Sequence, residues 1–175
     1  LGTVADVAPL RGENRTMVHH GLRALTERGN PGIRALLDSP GLGNRTPTTE
    51  DISFRIAPLI NAAGRMGSAL EAVELLLAPG YHEAQQAAAK LEVHNTERRR
   101  VEKEVVEEAM AAAEAMDNEV LVLGGDDWPR GVLGIVAARL AEKLGKPALL
   151  LSFEGEFGRG SGRSAGGFNL RHALS

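Results

Sequence analysis

At 175 residues the sequence is long enough to bury a real core, as one domain or two small ones. A net charge of −3 rules out a global polycation, so any nucleic-acid surface has to be a local basic patch. The absence of cysteine excludes disulfides and thiolate metal sites within this sequence, and an aromatic content of 3% argues against platforms of stacked rings. No apolar run is long enough to span a bilayer as a helix, and a cytoplasmic location is expected.

In chain order, Leu1–Leu10 is apolar-rich around Asp6 and closes at Pro9. A carboxylate flanked by Val4, Ala5, Val7 and Ala8 either ends a helix or turn, or meets a cation, because burying a lone charge is costly. Gly12-Glu13-Asn14 leads into a helix predicted from Arg15 to Arg28, with Val18, Leu22 and Leu25 on one face. His19 and His20 within it point about 100° apart and read as a solvated pair rather than a chelate. A short helix is predicted from Pro31 to Leu37, then a loop over Ser39–Thr49. Thr49-Glu50-Asp51 opens another helix that should end before Pro58. Asn61-Ala62-Ala63-Gly64-Arg65-Met66-Gly67 follows, and Ser68 with Glu71 makes a capping-box pattern for a helix to Leu77.

His82–Met116 is the longest periodic stretch, with Leu91, Arg98, Val101, Val105, Ala109 and Ala112 recurring at helical spacings. A single helix of that length would measure about 50 Å and act as a strut between two lobes; the alternative is two helices broken near Asn95. From Asn118 the pattern changes to a strand over Glu119–Leu123, a helix over Gly131–Leu144 and a strand over Pro147–Leu151. Short connections make this a parallel βαβ unit whose ligand edge lies at the carboxyl ends of its strands.

The chemistry concentrates in the second half. Gly158–Ser164 alternates glycine with arginine and serine, a composition that suits an anion: bare backbone N–H groups, guanidinium forks and hydroxyls. The alternative is a mobile surface loop. Arg130 and Gly131-Val132-Leu133-Gly134 open the predicted helix, where the dipole and uncovered amides favour a phosphate. Trp128 is either a stacking ring or core packing. No Gly-x-x-x-x-Gly-Lys-Ser/Thr run is present, which argues against a nucleoside triphosphatase.

Four blocks, in order, cover nearly the whole chain: Ala5–Leu10 with Gly12–Arg15, Asn61–Arg65, Trp128–Leu140 and Gly160–Ser164. Together they resemble the RecJ exonucleases of the DHH phosphoesterase superfamily. That resemblance implies an α/β chain in three parts. Residues 1–80 would be the C-terminal part of a DHH catalytic lobe, 81–117 a long connecting helix, and 118–175 a truncated DHH-associated lobe with the βαβ unit. It implies a Mn²⁺- or Mg²⁺-dependent enzyme that degrades single-stranded DNA from the 5′ end to mononucleotides in repair and recombination.

By motif match Asp6 is similar to the family's last metal-binding aspartate and Arg65 to an arginine facing the scissile or neighbouring phosphate. Ser161 and Arg163 match the grip on the 5′ end, with Asn61, Trp128, Arg130, Gly131, Gly134, Gly160, Gly162 and Ser164 as further DNA contacts. The chain departs from the family at Pro129, where histidine is usual, and at Leu59, where arginine is common. The Asp-His-His signature and earlier aspartates have no match, because Val18 precedes His19-His20. The sequence therefore reads as a fragment, inactive by itself, with most of the metal site upstream of Leu1 and a later glycine-histidine motif beyond Ser175. Single-stranded DNA is the expected partner, with a helicase and a single-strand-binding protein beside it, no membrane, and a monomeric state. The competing readings are a DHH phosphoesterase of short oligonucleotides or cyclic dinucleotides, and a non-catalytic nucleic-acid-binding module.

Overall fold

The computed structural model describes residues 1–27 and 29–175. The chain divides into two compact units, Leu1–Thr96 and Glu97–Ser175, and the boundary falls inside a single helix.

The first unit is helical: α1 (Gly2–Ala5), α2 (Glu13–Glu27), α3 (Pro31–Asp38), α4 (Thr49–Asp51), a π-helical segment Ile52–Ile56, α5 (Ala57–Met66), α6 (Ala69–Leu76) and the first part of α7 (Tyr81–Glu114). Arg28, the residue expected to end α2, lies outside the described residues. Leu36, Leu42, Ile52, Ile56, Leu75 and Leu91 form the buried centre, and Val18, Leu22 and Leu25 of α2 pack against it as their spacing predicts.

Two local expectations are corrected. The helix begun at Thr49 does not stop before Pro58, because the path widens into the π segment and Pro58 then occupies the first turn of α5. A proline there forfeits no bond, since its missing N–H is one of the unsatisfied donors of a helix start. Ser68 does cap α6, accepting from Leu70 N at 3.2 Å, but Glu71 turns away from the expected capping box to His94.

Asp51 staples the start of this path. Its Oδ2 accepts from Arg45 Nη1 at 2.7 Å and from Thr48 N at 2.9 Å, and its Oδ1 accepts from Arg45 Nη2 at 2.9 Å. Arg45 first, and then the Thr48 amide, hold this carboxyl well below the usual carboxylate range.

Helix α7 runs unbroken for 34 residues, so the break near Asn95 does not occur. In the second unit its Val101, Val105, Ala109 and Ala113 are buried, one position off the expected Ala112 because an α-helix drifts against a strict seven-residue repeat. Buried Glu102 is held between Arg98, one turn along α7, and Arg139.

The rest of that unit is β1 (Leu121–Gly125), α8 (Arg130–Leu144), β2 (Ala148–Glu154), β3 (Phe157–Arg163) and α9 (Leu170–Ala173). β1 and β2 are parallel, in register from Leu121↔Ala148 to Gly125↔Ser152, which realises the βαβ unit. Val132, Leu133, Val136 and Leu140 of α8 are buried, as are Leu121, Leu123, Ala148 and Leu150 of the strands. The glycine-rich stretch is a strand rather than the mobile surface loop of the alternative reading. β2 continues past Leu151 to Glu154, the chain turns through Gly155 at φ +60°, and β3 returns antiparallel along β2.

Because the folded Asp51 carboxyl titrates below its unfolded range, its contribution is present above about pH 4 and lost as pH falls further. The urea midpoint of the chain should therefore drop between pH 5 and pH 2, and Asp51→Asn should be less stable at pH 7 with a flatter pH profile.

Candidate functional site

Strand β3 explains why its glycines alternate. Successive side chains of a strand point to opposite faces, and directly paired residues share a face, so the register couples Arg159, Ser161 and Arg163 to Ser152, Leu150 and Ala148. The glycines fall on the other face. A Cβ on Gly160 would lie 2.4 Å from the Leu150 carbonyl oxygen and 2.6 Å from Leu151 Cδ2, and one on Gly162 would lie 2.3 Å from Leu170 Cδ2. Backbone blocks any side chain at Gly160, and one at Gly162 would have to displace Leu170. The polar residues are thereby gathered on the face that α8 covers.

Gly134 of α8 meets them. A Cβ at this position would sit 3.0 Å from Ser161 Oγ and 3.6 Å from Arg163 Nη2. Helix and strand thus approach across a missing side chain, leaving a hydroxyl and a guanidinium side by side beneath the first turns of α8. Arg163 stays exposed and Ser161 half-buried. Arg163 Nη1 also donates to the Gly162 carbonyl at 2.9 Å, which limits the swing of its side chain. Arg159 shares this face and is exposed. It belongs to the Gly158–Ser164 run expected to suit an anion, and the Gly-x-Gly-x-Gly alternation that sets its face is itself a strand signal.

Other expected residues fall differently. Arg130, read as an open charge at the helix start, is paired with Glu154, which the longer β2 delivers to the same edge. Both side chains are substantially exposed, so the pair is worth only about 0–1 kcal/mol and is exchangeable. Trp128 is corrected from stacking ring to core. It is 5% exposed, and its Nε1–H donates to Glu108 Oε2 of α7 at 2.9 Å. Gly131 lies half-buried in the first turn of α8. Ser164 follows β3 and accepts from Leu170 N at 3.3 Å, so it tethers the start of α9.

In the first unit Asp6 is exposed at the C-terminal end of α1. Val7 beside it has φ +54° and is 85% exposed. Ala8 N bonds Thr3 O at 3.1 Å and Val7 N bonds Val4 O at 3.1 Å, the paired hydrogen bonds of a Schellman turn. A β-branched residue at the left-handed position is strained by about 1–2 kcal/mol. That strain sits immediately next to the candidate carboxylate. Asn61 and Arg65 are exposed one turn apart on α5, on one side of the helix. Among the described residues no three His, Cys, Asp or Glu side chains converge, so they do not make a metal centre by themselves. Nor is any helix among them long and apolar enough to cross a membrane.

Residues 117–175 match the DHHA1 domain. The chain is 35% identical over 179 residues to the single-stranded-DNA-specific exonuclease RecJ of Bacillus subtilis, covering 100% of this chain and 23% of that protein. Crystal structures of RecJ from Thermus thermophilus superpose along 99% of the chain. The Mg²⁺ complex does so with a TM-score of 0.88 at 36% identity over 27% of its own length. The Mn²⁺ complex does so with a TM-score of 0.89 at 35% identity over 26% of its length. The chain therefore spans about a quarter of the length of these relatives.

Trp128 is the sequence's single tryptophan and reports its own surroundings. Its emission should be blue-shifted and resist acrylamide, and an added oligonucleotide should leave it unquenched. Strong quenching by either would return the ring to the surface.

Proposed function

From a chain that carries a DHHA1 domain at residues 117–175 and is RecJ-like along its whole length, we propose part of a metal-dependent exonuclease that degrades single-stranded DNA from the 5′ end. The observation that carries the proposal is the meeting of Gly134 with Ser161 Oγ and Arg163 Nη2, a cradle of the right chemistry for a terminal phosphate. Residues 1–80 contribute the end of the DHH lobe, 81–117 the connecting helix and 118–175 the DNA-gripping lobe.

Within that enzyme each residue has a task. Arg163 and Ser161 hold the 5′ phosphate, Arg159 and Arg130 add charge along the strand's path, and Arg65, with Asn61 one turn away, offsets charge developing on the phosphate under attack. Asp6 offers a carboxylate oxygen of the kind a hard cation takes, as one ligand of a site completed from outside this chain. Mn²⁺ or Mg²⁺, when bound, supplies activation of the attacking water. Single-stranded DNA is the substrate, with a helicase and a single-strand-binding protein as partners of a monomeric cytoplasmic enzyme.

Full-length protein with Mn²⁺ should release mononucleotides from 5′-labelled single strands, and Asp6→Ala should abolish this. Activity surviving that change removes Asp6 from the metal site. A dinucleotide cleaved as readily as a long strand favours the short-oligonucleotide phosphoesterase, and binding without cleavage favours the non-catalytic module. Arg163→Ala should weaken binding of a 5′-phosphorylated strand by about 1.5–3 kcal/mol, as for a hydrogen bond to a charged group. A 5′-hydroxyl strand should lose less, and equal losses would mark Arg163 as a general backbone contact. Glu154→Gln, which releases Arg130, should tighten binding by roughly two- to fivefold at low salt, within the range of an exposed ion pair.

A further inference from the structure

Two residues beyond Arg65, the backbone leaves α5 at Gly67 and turns through Ser68 into α6. That turn rests on a close histidine–carboxylate contact. His94 Nε2, from α7, lies 2.7 Å from Glu71 Oε2, from α6. A Cβ on Gly67 would lie 2.9 Å from both Cε1 and Nε2 of His94 and 3.0 Å from Glu71 Oε2, so the backbone packs directly on the pair. Glu71 Oε2 is sealed from solvent, and among the described residues it makes no hydrogen bond of ordinary geometry, His94 Nε2 being a close neighbour at 2.7 Å. Leaving a buried carboxylate oxygen without a donor is costly, and His94 Nε2 is the group placed to supply one. Helices α6 and α7 and the end of α5 are thus joined at one point, directly below the last turn that carries Arg65.

We propose that His94 and Glu71 are positioning residues that hold the Arg65 turn in register for its phosphate. The inference rests on the reading of Arg65 as a phosphate contact. The pair acts together with the hydrogen bond from Gly67 N to the Ala63 carbonyl, 2.9 Å in the structure, which closes that turn. A displacement of about 1 Å at a reacting group can cost on the order of 100-fold in rate.

In the full-length enzyme, His94→Ala and Glu71→Ala should each lower kcat on single-stranded DNA by roughly tenfold, with KM changed less than about twofold. Strand-holding contacts elsewhere are untouched by either change. His94→Gln, whose amide can still donate to Glu71, should restore most of kcat, and the double alanine variant should be no worse than either single one. Amide exchange at Gly67 should accelerate in both alanine variants and not in His94→Gln. Unchanged kcat, equal effects on kcat and KM, or unchanged exchange at Gly67 would overturn the proposal. Should the alanine variants unfold, Gly67→Ala, which drives a methyl against the His94 ring, must lower kcat and loosen the Leu70 amide. A neutral result there also overturns it. If the parent protein cuts no single strand, the nuclease reading fails, while the exchange measurements still decide what the pair does.

Discussion

The second unit depends on the pleat of one strand. Because β2 and α9 would crowd a Cβ at Gly160 and Gly162 to within 2.3–2.6 Å, these positions of β3 favour glycine, and what stands between them falls on the opposite face. Two arginines and a serine, separated in sequence by glycines, become neighbours. Gly134 then lets α8 come close without covering them. A one-residue slip of β3 would turn the arginines into Leu151 and Leu170 and expose the glycines to α8, so the register is held from both sides. The same arrangement shows how an acidic chain can still gather positive groups: they are concentrated by geometry rather than by composition.

The first unit works on a different constraint, the continuity of helical backbone through an awkward sequence. Pro58 sits in the middle of a helical path that persists because the π segment before it absorbs the mismatch and the proline lands in a first turn. Asp51 secures the beginning of that path with Arg45 and Thr48, and the His94–Glu71 pair secures its end. Arg65 is therefore carried on a helix tied down at both termini. Asp6, by contrast, stands at the end of a four-residue helix next to a strained Val7, where a side chain of unusual backbone geometry sets the direction of the chain.

Several charged groups are satisfied in ways that separate structural from functional duty. Glu102 is buried between Arg98 and Arg139 and serves the packing of α7 on α8; removing one partner of such a set leaves an uncompensated buried charge. Arg130 and Glu154 are exposed and cheaply separated. Trp128 spends its N–H on Glu108 and its ring on the core.

Periodicity alone determined the helical first half, the parallel βαβ unit and the core positions on α2 and α8, because those depend on local spacing of apolar residues and on turn chemistry; it left open whether α7 runs unbroken past Asn95. The motif blocks likewise singled out Asp6, Arg65, Ser161 and Arg163 by residue type and order. Only the tertiary structure decided that Phe157–Arg163 is a strand, that Arg130 meets Glu154, that Glu71 leaves its cap for His94, and that Trp128 is inside. Each of these turns on a partner distant in sequence: β2 for the glycines, the end of β2 for Arg130, and α7 for both Glu71 and Trp128. A local pattern has no means of registering how closely a distant backbone approaches, and that approach is what converts an alternating run of glycine and arginine into a single polar face.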